Sequence, residues 1–368
     1  MVTINKVYRF EKKKYKQFIF VAEIKGYISK LAIVGVTKKT IDIIFKIEQL
    51  TQMAKDFPAL VNNILSMVKE RYDIKVTSGC IGFAGVVSLD RNSVKLTNAD
   101  VEINKQTILD RTPLNKIILL NDFEAIGYGV DLLDIEKDVI KIPHIGQDLT
   151  FGKTETHPFA VIGVGADLGM AIANYDKTHH LHIPMASGGG HMDFAPTNKL
   201  EYKFVDYIKK KKMKNKKSHP ELERILSIDG IRTIFEFLHE EGYKLNSSKD
   251  MMKKKGILLV QDVSANYKSS KLCKTTIDIF MSIYARTCKN LALISQCYSG
   301  LYITDIIVLK DIKSMETNRQ LLMQFMKNFE QHDKHTDVLQ KIPVYMITNK
   351  DVGLFGCANV AANLSNFL

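Results

Sequence analysis

The chain has 368 residues, 45% of them hydrophobic, which excludes a disordered polymer and is enough for one large or two ordinary cores. Lys and Arg outnumber Asp and Glu by 52 to 40, a balance of +12 that favours phosphate-bearing partners without saying which. Five scattered cysteines (Cys80, Cys273, Cys288, Cys297 and Cys357) form no CxxC pair and no metal-ligand spacing, so they read as reduced core thiols, with no structural metal expected. With no apolar run of about eighteen residues and no cleavable leader, a cytoplasmic protein without membrane contact is expected.

In chain order, β-rich runs at Phe18 to Ile24, Lys30 to Val36 and Thr40 to Ile47 predict a three-stranded meander. Leu60, Ile64 and Val68 share one face of a helix predicted over Phe57 to Val68, and the apolar run Cys80 to Val87 predicts a strand after it. A short helix over Lys105 to Asp110 and a strand over Lys116 to Leu120 follow. Asp122 stands at that strand's carboxyl end, ahead of a helical pattern from Phe123 to Leu133. In open α/β sheets that is where ligands bind.

A second set begins with strands at Pro158 to Gly163 and Met170 to Tyr175. Helices are predicted over Leu200 to Lys211, Leu222 to Ser227, Ile231 to Glu241 and Thr275 to Ser299. Apolar strands at Leu301 to Leu309 and Ile342 to Ile347 precede a closing helix. The lysine-rich runs Lys209 to Lys217 and Lys253 to Lys255 repel themselves and read as solvated loops, the rival reading being a polyanion patch. Neither a helix-turn-helix pattern nor an RNP-like aromatic strand accompanies them, which argues against nucleic acid.

The sharpest chemical signal is Leu120-Asn121-Asp122-Phe123-Glu124-Ala125-Ile126-Gly127, an amide and a carboxylate side by side at a strand end. A carboxylate there could accept a proton from a hydroxyl nucleophile during phosphoryl transfer. The rival reading is structural, an Asn-Asp helix cap. A second cluster, Ser187-Gly188-Gly189-Gly190-His191-Met192-Asp193-Phe194-Ala195-Pro196, pairs backbone freedom with an imidazole, though a plain glycine turn is the alternative.

Taken in order and spacing, these segments resemble the bacterial-type glucokinase family from about Phe18 to Leu368. The matches are LNDFEA around Asp122, GGHMDFAP around His191, ERILS around Glu223 and the carboxy-terminal IPVYMITNKDVGLFGCANV. The resemblance implies an α/β, two-lobed actin-like, hexokinase-type (ribonuclease H-like) fold with an interlobe cleft. The small lobe would be 1–132 plus 352–368 and the large lobe 133–351. It also implies that Asn98 (in a Thr97-Asn98 turn), Asn121, Asp122, His191 and Glu223 hold the hydroxyls of glucose or another hexose, with Asp122 as catalytic base.

Several positions depart from that pattern. The acid that opens the family's EGGH motif is Gly188 here, removing an acceptor for sugar hydroxyls. The phosphate loop DxGGTxxR reads Glu23-Ile24-Lys25-Gly26-Tyr27-Ile28-Ser29-Lys30, which keeps an acid and Gly26 but adds bulk at Lys25 and Tyr27. The second loop, GxGTGLG, reads Gly163-Val164-Gly165-Ala166-Asp167-Leu168-Gly169, losing a hydroxyl and adding an anion. At ~5 Å from a phosphate, Asp167 would repel it by roughly 3 kcal/mol at an effective dielectric of about 20. In the adenosine-contact strand, Ile306 replaces a small residue.

By the resemblance, Glu23, Gly26, Gly163, Gly165 and Gly169 form the nucleotide site, with Mg-ATP as cofactor if the chain is active. Three readings stay open. One is a divergent glucose 6-kinase; another is a weak or inactive sugar-binding pseudokinase that signals to a protein partner. The third is a basic, RNA-associated scaffold on the same fold. A homodimer is compatible with all three.

Overall fold

The computed structural model describes residues 4–26, 28–38, 40–51, 56–96, 102–145, 156–215, 217–245, 248–254, 256–304, 309 and 315–364. In chain order the elements begin β1 (Ile4–Val7), β2 (Gln17–Ile24), β3 (Ile28–Val36), β4 (Ile41–Leu50), α1 (Phe57–Tyr72), β5 (Ser78–Phe83) and β6 (Gly85–Val87). They continue with β7 (Ser93–Leu96), β8 (Glu102–Asn104), α2 (Lys105–Arg111), β9 (Lys116–Asn121), α3 (Asp122–Val130), β10 (Val139–Ile142), β11 (Phe159–Val164), β12 (Leu168–Asp176) and β13 (Leu181–Ser187). The helical stretch contains α4 (Lys199–Lys211), α5 (Ile228–Glu240), α6 (Ser248–Lys253), α7 (Ile257–Ala265) and α8 (Lys271–Ser295). It is followed by β14 (Gly300–Ile303), α9 (Met315–Glu330), α10 (Thr336–Leu339), β15 (Val344–Ile347) and α11 (Val352–Asn359).

The chain forms two compact units. One comprises Met1–Asp138, Leu181–Ala186 and Asn349–Leu368, the other Val139–His180 and Ser187–Thr348. In the first, the sheet order is β1-β4-β3-β2-β5-β9, antiparallel from β1 to β2 and parallel from β2 to β9. The predicted meander is therefore present, and the basic leader adds β1 along β4. β2 is apolar on both faces because both are covered. Phe20, Ala22 and Ile24 point into a core with α1 residues Val61, Ile64 and Leu65, while Ile19 and Val21 join α3 and α11 residues Ala125, Leu354 and Ala358. The period of two along a strand sends alternate side chains to opposite layers.

Helix ends follow local chemistry. Asp56 caps α1 by accepting from Ala59 N at 3.2 Å, Pro58 stands in the first turn, and Asp73 ends the helix at φ 52°. α3 and α11 approach closely through glycines: a Cβ on Gly129 would strike the Val352 carbonyl, and one on Gly356 the Ala125 carbonyl.

In the second unit the strand order runs β10-β15-β14-β11-β12, with β11 and β12 forming a hairpin and β11, β14 and β15 parallel. Phe280, Tyr284 and Cys288 on α8 lie in a core with Phe235 of α5 and Phe325 of α9. All five cysteines are buried and free.

Three expectations change, and a fourth falls partly outside the described residues. The strand read over Cys80 to Val87 breaks at Ala84, whose N–H bonds Ile24 O at 2.9 Å while β6 leaves to pair with β7. Leu222 to Ser227 is not an α-helix; it is a 3-10 turn, Leu222–Arg224, followed by the Ser227 side chain capping α5 at Gly230 N. The end of the strand expected from Leu301 falls partly outside the described residues. The run from Lys209 is no plain loop, because α4 continues through Lys211 and its basic face meets α5: Lys203 with Glu241, Lys211 with Glu240 and Lys212 with Glu236.

The glycines supply a test of packing. Gly356→Ala should destabilise the chain by roughly 2–3 kcal/mol, since a carbonyl and not a flexible side chain must give way. Gly165→Ala, whose Cβ would meet nothing within 4 Å, should stay within about 0.5 kcal/mol. Urea unfolding of both variants checks the contrast.

Candidate functional site

The sequence-predicted residues fall into two groups, one in each unit. The first is built at the carboxyl ends of three adjacent strands. Glu23 on β2 pairs in register with Gly82 on β5, and Gly82 with Leu120 on β9, two residues before Asp122. A Cβ on Gly82 would come to 3.0 Å from the Ala125 Cβ and 3.5 Å from the Asp122 Cα, so a glycine there lets the first turn of α3 pack close against the sheet.

Asn121 does what the structural reading expected. Its Oδ1 accepts from Phe123 N at 2.9 Å and Glu124 N at 3.3 Å, and the Glu124 carboxylate accepts from Asn121 N, which completes a capping box. Its Nδ2 donates to Gly85 O at 3.2 Å, tying the cap to β6. Arg91 grips the buried Glu124 carboxylate through both terminal nitrogens, at 2.7 and 3.1 Å. Arg91 lies at φ 54° in the β6–β7 hairpin. The Asn-x-x-Glu spacing signalled the box; nothing local signalled Arg91.

Asp122, the first residue of α3, is buried. Burial lifts its carboxyl to about 7, against a pull from Lys25 and with a further push from Glu23. Such a group is half ionised near neutrality, where proton acceptance is most effective.

Glu23 is buried as well. Lys25 Nζ lies 3.1 Å from its Oε1 and Lys30 Nζ 3.6 Å from its Oε2. Burial alone would push this carboxyl up, and the two lysines more than offset it, holding it below the usual range. The ion pairs continue from Lys30 to Asp351 at 3.5 Å, from Asp351 to Lys46 at 2.7 Å and from Lys46 to Glu48 at 3.0 Å. Glu23 Oε2 has no hydrogen-bond partner, so a hard carboxylate oxygen of the kind Mg²⁺ takes is present there. Gly26 follows in the turn between β2 and β3. Tyr27, the Thr97-Asn98 turn and Ile306 lie outside the described residues.

In the second unit, Gly163 and Gly169 pair across the β11–β12 hairpin, and Gly165 N bonds Asp167 O at 2.9 Å in its turn. Glu223 reaches this hairpin, its Oε2 accepting from Leu168 N at 3.4 Å. Met192 O accepts from Leu222 N and Pro220 O from Phe194 N, so the His191 and Glu223 segments lie side by side. Side chains on Gly189 and Gly190 would strike Met170 and the Leu168 carbonyl, whereas one on Gly188 would meet nothing within 4 Å.

His191 Nδ1 bonds Glu221 Oε2 at 2.9 Å, and that bond, helped by Glu223 and Asp167, raises the imidazole above its ordinary value against partial burial. Burial, with Asp167 beside it, raises the Glu223 carboxyl, while His191 pulls it down. Glu221 was missed by sequence reading; its partnership with His191 spans 30 residues. Ser187, next to the position of the missing acid, accepts from Gly189 N at 3.0 Å through its hydroxyl.

Among the described residues, no group of three or more His, Cys, Asp or Glu side chains is placed to hold a metal ion, and no helix is long and apolar enough to cross a membrane.

A family model described as glucokinase matches residues 20–364. A glucokinase of Trichormus variabilis is 31% identical over 324 residues, covering 84% of this chain and 89% of that protein. Among solved structures, glucokinase from Balamuthia mandrillaris in complex with glucose has a TM-score of 0.78 at 18% identity, covering 94% of this chain and 93% of its own. A ROK family glucokinase from Streptomyces griseus in complex with glucose and AMPPNP has a TM-score of 0.55 at 16% identity, covering 94% and 99%. The fold is the actin-like ATPase fold of these sugar kinases.

The Asp122 carboxyl binds its proton more tightly folded than unfolded. Its burial therefore favours the fold below about 3.8, and that advantage is lost as pH rises through about 7. Above that, the ionised group costs on the order of 4 kcal/mol. Asp122→Asn should raise the melting temperature at pH 8 by several degrees, and by much less at pH 5. Calorimetric melts at both values check this, and equal gains would contradict the buried titration.

Proposed function

The chain belongs to the glucokinase family, and from that membership we propose that it is an ATP:hexose phosphotransferase acting on the 6-hydroxyl of glucose or a close relative. The observation that carries this reading is Asp122, dry at the amino end of α3 and lifted to about 7. A sugar hydroxyl is a poor nucleophile until its proton has somewhere to go, and this carboxylate supplies the acceptor. Asn121 keeps Asp122 in place through the cap, and its second amide hydrogen can meet a sugar oxygen.

His191 and Glu223 serve as further hexose contacts in this reading. The His191 imidazole is oriented by Glu221, and the raised Glu223 carboxyl is suited to donate or accept toward a hydroxyl. Gly188 leaves open space where the family has an acid, so water can fill it and recognition of one hydroxyl is weaker. Glu23 would help hold Mg²⁺ arriving with the nucleotide, and that ion would supply positive charge to offset the phosphates. The glycines of the β11–β12 hairpin give backbone room for phosphate, although Asp167 opposes it.

A second reading, a sugar-binding member with weak or lost turnover, is favoured by one specific observation. Glu23 is already neutralised by two lysines before any metal arrives.

One experiment separates the two. Mg-ATP is titrated calorimetrically with and without saturating glucose, and glucose 6-phosphate is followed by a coupled assay. A kinase gives product, and Asp122→Asn lowers kcat by about 10²–10⁴-fold while glucose still binds. Glucose binding without nucleotide binding or product supports the sugar sensor. Binding of neither removes both.

A further inference from the structure

The first unit holds a cavity of about 400 Å³, and none of the residues assigned to hexose or nucleotide lines it. Small-molecule sites run from about 300 to 1,000 Å³, so one modest ligand fits. The turn between β3 and β4 supplies one part of the lining; Gly129 of α3, the segment after that helix and Phe355 of α11 supply much of the rest. Ile41, Leu132, Leu133 and Phe355 give the cavity an apolar surface, and Leu132 stays 44% exposed. Covering an open apolar side chain of this kind is favourable.

Three charged side chains line the cavity, and two of them are already engaged. Asp42 Oδ2 accepts from Lys14 Nζ at 3.2 Å and from the Tyr15 hydroxyl at 3.0 Å. Asp138 accepts through one oxygen from Asn349 Nδ2 at 3.1 Å and through the other from Asp134 N at 3.0 Å. The third, Lys38, is exposed in the β3–β4 turn and has no hydrogen-bond or ion-pair partner among the described residues. On a featureless surface such a lysine is simply a solvated cation. Here it borders an apolar hollow, and the pair is complementary to a molecule with one negative end and an apolar body.

The position of the cavity along the chain gives an occupant something to act on. Gly129 belongs to the last turn of α3, the helix whose first residue is Asp122. Asp138 is the residue at which the chain first leaves this unit and Asn349 the one at which it finally returns, and the two are hydrogen-bonded to each other in the lining.

We propose that this cavity is a binding site for a small, free anionic amphiphile. The anionic head lies at Lys38, and an aliphatic or aromatic body covers Leu132, Leu133 and Phe355. Lys38 contributes selection by charge and the apolar wall contributes most of the affinity. The site stands apart from the hexose and nucleotide residues and does not depend on the kinase reading.

The probe is 8-anilinonaphthalene-1-sulfonate, titrated by its fluorescence into the parent chain, Lys38→Glu and Leu132→Asp, each variant first checked for an unchanged melting profile. Both side chains are exposed, so the fold should tolerate either change. The titrations are run with and without saturating glucose and Mg-ATP, and octanoate and octanol serve as competitors. The parent should bind the dye whether or not glucose and Mg-ATP are present, and each variant should bind it about tenfold more weakly. Octanoate should displace it from the parent about tenfold better than octanol, and that preference should vanish in Lys38→Glu. The proposal is overturned if the parent binds no dye, if both variants bind it as tightly as the parent, or if glucose with Mg-ATP displaces it. Octanol competing as well as octanoate overturns the anionic class. None of these results alters the assay for glucose 6-phosphate, so the kinase reading stands or falls separately.

Discussion

At the end of β9 the backbone passes from extended to helical within one residue, and Asn121 makes that passage possible by accepting the Phe123 and Glu124 N–H groups. The first unit's candidate site depends on this junction. The cap fixes Asp122 as the first helical residue, Glu124 returns to bond the cap, and Arg91 clamps Glu124 from the β6–β7 hairpin. This junction sets Asp122 at the buried start of α3. Its raised proton affinity is the consequence, and so is its chemical use.

Beside it runs a charge-alternating chain of side chains, from Lys25 through Glu23, Lys30, Asp351 and Lys46 to Glu48. The inner pairs contribute little net stability, but removing one of the more buried members, Lys30, Asp351 or Lys46, leaves an uncompensated charge worth about 3–5 kcal/mol. They also carry geometric information. Asp351 precedes α11, so its two lysines fix where that helix begins against β3 and β4, and Gly353 lets Glu23 approach its first turn.

The departures from the glucokinase pattern look different in three dimensions than along the chain. Gly188 has empty space where a side chain would go, so this substitution is not forced by packing. Gly189 and Gly190 have none, because β12 lies against them. Asp167, read as an anion opposed to phosphate, also acts on its own unit by raising both Glu223 and His191.

The sequence by itself determined the meander, the strand–helix junction at Asn121 and Asp122, the buried thiols and the family, because each rests on local periodicity or contiguous motifs. It carried the capping alternative too, since Asn-x-x-Glu is a local pattern. Only the tertiary structure decided that Arg91 serves Glu124, that Glu221 orients His191, and that Lys46 meets Asp351 across 305 positions. It also turned a lysine run into the partnered end of α4, by bringing the acids of α5 alongside. The physical reason is the same throughout: burial and charge pairing are properties of neighbours in space, and strand pairing and helix packing, not chain order, choose those neighbours.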